Sequence, residues 1–151
     1  MYIIGILGVI VLIAIDRFTK YLAVLNLEPS ESITFIKGFM DFTLIKNTGA
    51  AFGMLEGARW FFIVLTVLVL AFIIYYYRKI PINKNYNIIR GALVFISAGA
   101  IGNFLDRVIN GYVTDFFEFT FFSFPVFNVA DIFVVCGTFV LAYMMLFKIK
   151  D

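Results

Sequence analysis

Four long apolar stretches, set apart by polar connections, give this chain its pattern. The first, "MYIIGILGVIVLIAI", continues past Asp16 to about Val24. The second, "WFFIVLTVLVLAFIIYYY", runs from Trp60 to Tyr77, and the third, "GALVFISAGAIGNFL", from Gly91 to Leu105 with a start near Asn87. The fourth spans about Phe127 to Phe147 and is interrupted only by Asp131. A helix needs about 20 residues to cross a bilayer. The pattern therefore predicts four membrane helices, over about 2–24, 59–77, 87–106 and 127–147, in a single domain covering 1–151. The first run has no basic segment before it and no A-x-A site after it, so it reads as an uncleaved helix rather than a signal peptide.

The connections differ in kind. Between Asn26 and Arg59, "SITFI" and "DFTLIK" alternate as strands do, which predicts a small β-rich cap on the membrane surface. Arg78 to Arg90 is short, basic and free of acids. Asp106 to Pro125 is aromatic and is expected to lie in the interface. Lys and Arg divide evenly, with Arg78, Lys79, Lys84, Arg90, Lys148 and Lys150 on one side and Arg17, Lys20, Lys37, Lys46, Arg59 and Arg107 on the other. Charge density in the short second loop breaks the tie and predicts that this loop and both termini are cytoplasmic.

Composition strengthens the membrane reading. The chain is 63% hydrophobic, 19% aromatic and 15% charged, whereas soluble domains are about 45–50% apolar and about 25% charged. A net charge of +2, with no basic run among the 20 Phe residues, argues against a nucleic-acid partner. With no His in the chain, Ser–His and Cys–His nucleophiles and His-ligated metals are excluded. The single cysteine, Cys136, sits in an apolar run and reads as a small buried hydrophobe. Asp and Glu are left as the acids and bases of any chemistry.

The predicted topology brings Asp16, Asp106, Asp115 and Asp131 to one face of the membrane, where "NTGAAFG" of the outer loop can join them. Asn103, Asp106 and Arg107 share a helix face by their i, i+3, i+4 spacing, Asn128 and Asp131 lie one turn apart, and Asp16 and Lys20 form an i, i+4 pair. Plainer readings stand beside these. Asp16, Arg17 and Lys20 suit helix-end charges, and Asp106–Arg107 suits a local ion pair. Asp115 suits a loop acid, Asn47 and Gly49 suit turn residues, and Asp131 suits a helix cap.

Isolated acids are costly in hydrocarbon and mark functional sites by default. Two carboxylates placed together share a proton; the ionised one activates water and the protonated one polarises a carbonyl. That supports peptide hydrolysis without His, thiol, metal or other cofactor. The same acids also fit a proton-coupled transporter, a Mg²⁺-dependent lipid phosphotransferase, or a structural subunit whose acids pin helices together.

Five motifs in order narrow these alternatives: "DRFTK" at Asp16–Lys20, "NTGAAFG" at Asn47–Gly53, "GNFLDR" at Gly102–Arg107, "GYVTDF" at Gly111–Phe116 and "FNVAD" at Phe127–Asp131. Along essentially its whole length the chain resembles the lipoprotein signal peptidases, or type II signal peptidases, which are bacterial membrane aspartic proteases. The resemblance implies an all-α membrane fold of four helices, with a β-cradle outside the membrane and an interfacial segment between the third and fourth helices. It implies a catalytic dyad of Asp115 and Asp131, supported by Asp16, Lys20, Asn47, Gly49, Asn103, Asp106, Arg107 and Asn128, with Asn103 and Arg107 contacting the peptide backbone. The implied substrates are diacylglyceryl-modified prolipoproteins, cut just before the lipid-bearing cysteine. A monomer in the bacterial cytoplasmic membrane, in contact with membrane lipids and bound by globomycin-type peptide inhibitors, is implied as well.

Overall fold

A computed structural model describes residues 2–28, 32–81 and 83–148. Positions 29–31 of the outer loop and Lys150 of the basic tail lie outside them. The chain runs α1 (Tyr2–Asn26), β1 (Ser32–Ile36), β2 (Met40–Asn47), a 3₁₀ turn (Ala51–Gly53), α2 (Arg59–Lys79), α3 (Lys84–Ile109), β3 (Val113–Phe119) and α4 (Val129–Tyr143), which ends in a π turn (Met144–Lys148). Four helices, over Tyr2–Asn26, Arg59–Lys79, Tyr86–Ile109 and Val129–Lys148, are long and apolar enough to cross a membrane. Helix 3 starts earlier than its apolar run because the Asn83 side chain caps it, accepting from the Tyr86 amide. Helix 4 starts two residues later than expected because Asn128 is spent as its cap.

The most buried helix, α3, packs against each of the other three. Small residues let α4 approach it closely. A Cβ on Gly99 would overlap the Ala130 carbonyl, and one on Gly137 would meet the Ala92 carbonyl at 2.7 Å. Helix 2 is attached differently, packing chiefly on α3. Arg59 at its start donates to the Val108 carbonyl near the end of α3 (2.7 Å), and Arg90 of α3 reaches the Ile80 and Pro81 carbonyls just past its end. Such bonds satisfy helix-end carbonyls that would otherwise lack partners.

The strands form one antiparallel sheet in the order β1-β2-β3. The first two are the expected strands of the outer loop. The third occupies the aromatic segment expected to lie in the interface, and "VTDFFEF" hides it because Val113 to Phe116 are buried on both faces and show no alternation. One face carries Phe116, which packs with Leu44 of β2 and with Ala23 and Leu27 at the end of α1. The other carries Val113 and Asp115. The chain then returns along β3, where the Phe116 and Phe117 amides both donate to the Phe127 carbonyl (3.0 and 2.8 Å). That return sets Asn128, the cap of α4, beside Asp115.

Candidate active site

A cleft of about 600 Å³ opens between α2, α3, α4 and the sheet. Asn47, Gly49, Asn103, Arg107, Asp115 and Asp131 line its polar end, and its walls are apolar. Asp16, Lys20, Asp106 and Asn128 stand behind these residues, each at most 1% exposed. All ten site residues expected from the sequence therefore converge, in two layers.

Asp115 is placed by strand register. Ile45 pairs with Asp115 and Asn47 with Val113, so Asn47 and Asp115 are diagonal neighbours on one face. Asn47 Nδ2 donates to Asp115 Oδ2 at 2.8 Å, and Asn128 Nδ2 to Asp115 Oδ1 at 2.6 Å. Asp131 is placed by a capping box: its Oδ2 accepts from the Asn128 amide (3.1 Å) while Asn128 Oδ1 accepts from the Asp131 amide (3.0 Å). Asp131 therefore helps to cap the helix as the partner of Asn128, which is the cap itself, and its other oxygen reaches the site, where Asn103 Nδ2 donates to Oδ1 at 2.7 Å.

Each of these asparagines is held against an amide flip. Lys20 Nζ, which can only donate, lies 2.8 Å from Asn103 Oδ1, the Gly49 amide donates to Asn47 Oδ1 at 2.9 Å, and the Asp131 amide fixes Asn128. All three NH₂ groups are thereby turned toward the two carboxylates. Asn128 also donates to Asn103 Oδ1 (3.1 Å), which links the Asp115 and Asp131 sides.

Behind the cleft lies a charge cluster. Lys20 sits 3.1 Å from Asp16 and 2.9 Å from Asp106, and Arg17 pairs with Asp106 as well. Asp16 Oδ1 accepts from the Ala130 amide (3.1 Å), and Asp106 Oδ2 from the Thr114 amide (3.2 Å). These bonds tie α1 to α4 and α3 to β3. The helix-end reading of Asp16 and Lys20 fails because both are buried. The local Asp106–Arg107 pair is absent too, since Asp106 turns to α1 while Arg107 turns to the cleft. Arg107 Nη2 donates to the Gly49 carbonyl (3.1 Å), and its guanidinium lies 4.6 Å from the Phe62 ring centre. Phe62 and the Arg17–Asp106 pair had no sequence signal, because their partners are remote in the chain. Gly49 serves through its backbone, and a Cβ there would come 2.6 Å from the Met54 carbonyl.

The Asp115 carboxyl is pushed up to about 7, first by burial and then by the charge of Asp131, against the lowering effect of its two asparagine donors and Lys20. No group of three or more metal-ligating side chains suited to an ion is present among the described residues.

The family model described as signal peptidase (SPase) II matches residues 8–147. The lipoprotein signal peptidase of Caldanaerobacter subterraneus is 51% identical over 134 residues, covering 89% of this chain and 90% of that protein. The lipoprotein signal peptidase of Brevibacillus brevis is 45% identical over 127 residues, covering 84% of each. Among solved structures, a bacterial membrane enzyme determined by the in meso method at 2.3 Å resolution aligns with TM-score 0.86 at 31% identity, covering 97% of this chain and 93% of that one. A match that takes in all five motifs and nearly the full length, in sequence and in fold alike, makes the chain a member of the lipoprotein signal peptidase family.

Proposed function

We propose that this protein is an intramembrane aspartic endopeptidase that removes signal peptides from diacylglyceryl-modified prolipoproteins, cutting just before the lipidated cysteine. The observation that carries the reading is the pair Asp115 and Asp131 on one cleft, with all four carboxylate oxygens held by N–H donors. At neutral pH the pair holds one proton, taken by Asp115, and ionised Asp131 accepts a proton from water as the oxygen attacks the scissile carbonyl carbon. Asp115 gives its proton to the carbonyl oxygen. The tetrahedral intermediate then collapses: the C–N bond breaks, the proton gained by Asp131 passes to the departing amine, and one hydroxyl of the gem-diol returns a proton to Asp115, which leaves the product acid and restores the pair. Arg107 and Asn103, on the cleft wall, hold the peptide backbone.

The apolar walls suit a membrane-borne substrate. Helices 2 and 4 flank the cleft without packing extensively on each other, which leaves it a lateral opening toward lipid. Incubation of the purified protein with a diacylglyceryl-modified lipobox peptide, with and without EDTA, tests the proposal. EDTA-insensitive cleavage before the modified cysteine is expected. Cleavage abolished by EDTA would point to metal-dependent hydrolysis and overturn the aspartic mechanism. Because the shared proton is lost as pH rises through about 7, cleavage should decline on the alkaline side of neutrality. A rate that is flat from pH 6 to 9 would remove Asp115 as the proton carrier.

Arg107→Lys keeps the charge but loses the planar fork shared between the Gly49 carbonyl and the Phe62 face. Cleavage is expected to fall on the order of tenfold to a hundredfold with little change in melting temperature. Wild-type kinetics would reduce Arg107 to a bystander.

We infer a monomer in the bacterial cytoplasmic membrane, with both termini inside and the cleft near the outer face, and globomycin-type peptides are expected to occupy the cleft. Support comes from Arg78, Lys79, Arg90 and Lys148, which gather at the end of the bundle away from the cleft. In a Cys136→Ala background, Lys79→Cys should resist impermeant thiol reagents in intact cells. Labelling from outside would invert the topology.

A further inference from the structure

A second groove, of about 400 Å³, lies between α1, α2 and α3 and shares no lining residue with the cleft. Its walls are apolar, formed by residues such as Val9, Ile73, Leu93 and Ile101. Tyr77 and Arg78 line it at the end of α2, and the Tyr2 and Tyr77 rings approach there to 5.9 Å between centres. On α1 it runs from Tyr2 to Ile10, which at the helical rise is about 12 Å. That is close to one leaflet of hydrocarbon, about 15 Å.

We propose that this groove is a binding site for one anionic phospholipid, with an acyl chain along the groove and the phosphate at Arg78. The walls are almost wholly apolar along that length and Arg78 stands at one end, an arrangement that matches an acyl chain below an anionic headgroup. An empty groove would forfeit dispersion contacts along its walls, so the surrounding hydrocarbon fills it.

The headgroup preference follows from charge. Arg78 is exposed, has no carboxylate partner among the described residues, and is followed by Lys79, while no acid lines the groove. The site uses none of the residues that line the polar end of the cleft.

The test is native mass spectrometry of the purified protein with phosphatidylglycerol and phosphatidylcholine of identical chains. One phosphatidylglycerol should be retained per protein, about tenfold over phosphatidylcholine, because both offer the phosphate but phosphatidylcholine also brings a quaternary ammonium against Arg78 and Lys79. Arg78→Gln should erase the preference, and Val9→Trp, which fills the groove, should abolish retention of either lipid. As a readout on the unaltered protein, phosphatidylglycerol with a photoreactive acyl chain should label peptides of α1 and α3 that line the groove. Equal retention of the two lipids, a Val9→Trp variant that keeps its lipid, or labelling confined to other surfaces would overturn the site.

Discussion

Replacing Asp115 or Asp131 with Asn is expected to reduce cleavage of the lipid-modified precursor by roughly a thousandfold or more, since general acid–base transfer is removed and the water loses its activating pair. Neither change is silent in the folded state. Both oxygens of Asp115 accept from NH₂ groups that cannot turn away, so an amide there sets one donor against another. Asp131 meets the same conflict between Asn103 and the Asn128 amide. Each substitution should therefore lower stability by about 1–3 kcal/mol, the cost of an unsatisfied buried group, and still leave a folded protein. The double variant should cleave no more slowly than the worse single, because the two groups act as one unit. Substantial cleavage by either single variant, with its melting transition intact, would end the dyad assignment.

Lys20→Met is expected to have the largest effect on stability. The ammonium is buried between Asp16 and Asp106, and removing it leaves two acids with only Arg17 to oppose them. Breaking a buried pair from one side costs on the order of 3–5 kcal/mol. Asn103 also loses one of the two donors that fix its amide, so surviving protein should cleave poorly. Adding Asp16→Asn should recover part of the stability, because the uncompensated charge goes with it. Thermal unfolding of the two variants in detergent decides the matter: a Lys20→Met protein as stable as the parent would show that the cluster holds nothing together.

The parts of the molecule that could be read from its sequence were those set by local composition. Four apolar runs dictate four helices whatever they pack against, and the alternation of "SITFI" and "DFTLIK" marks two strands. The third strand was hidden because "VTDFFEF" is covered on both faces, by the cleft wall and by the end of α1, so its apolar run has no period. In the site, spacing correctly grouped Asn103 with Arg107 and Asn128 with Asp131. It could not show that Asp106 turns away from its neighbour Arg107, because the partners that draw it, Arg17 and Lys20, lie in another helix. Nor could it show Lys20 as the donor that orients Asn103, 83 positions away. The ties at the two ends of α2, made by Arg59 and Arg90, were illegible for the same reason: a basic residue near a helix end looks alike whether it faces headgroups or a carbonyl.

The capping box at the head of α4 divides Asp131 between two employers. One oxygen accepts from the backbone at the helix start, a bond whose loss would weaken the first turn; Oδ1, which Asn103 also holds, is left for whatever enters the cleft. The carboxylate therefore cannot swivel to meet a misplaced substrate, so the substrate must do the adjusting. If Asp131 acts on the substrate as proposed, the position of the cut is set at the start of a helix, an address fixed when the protein folds and not revised at each encounter.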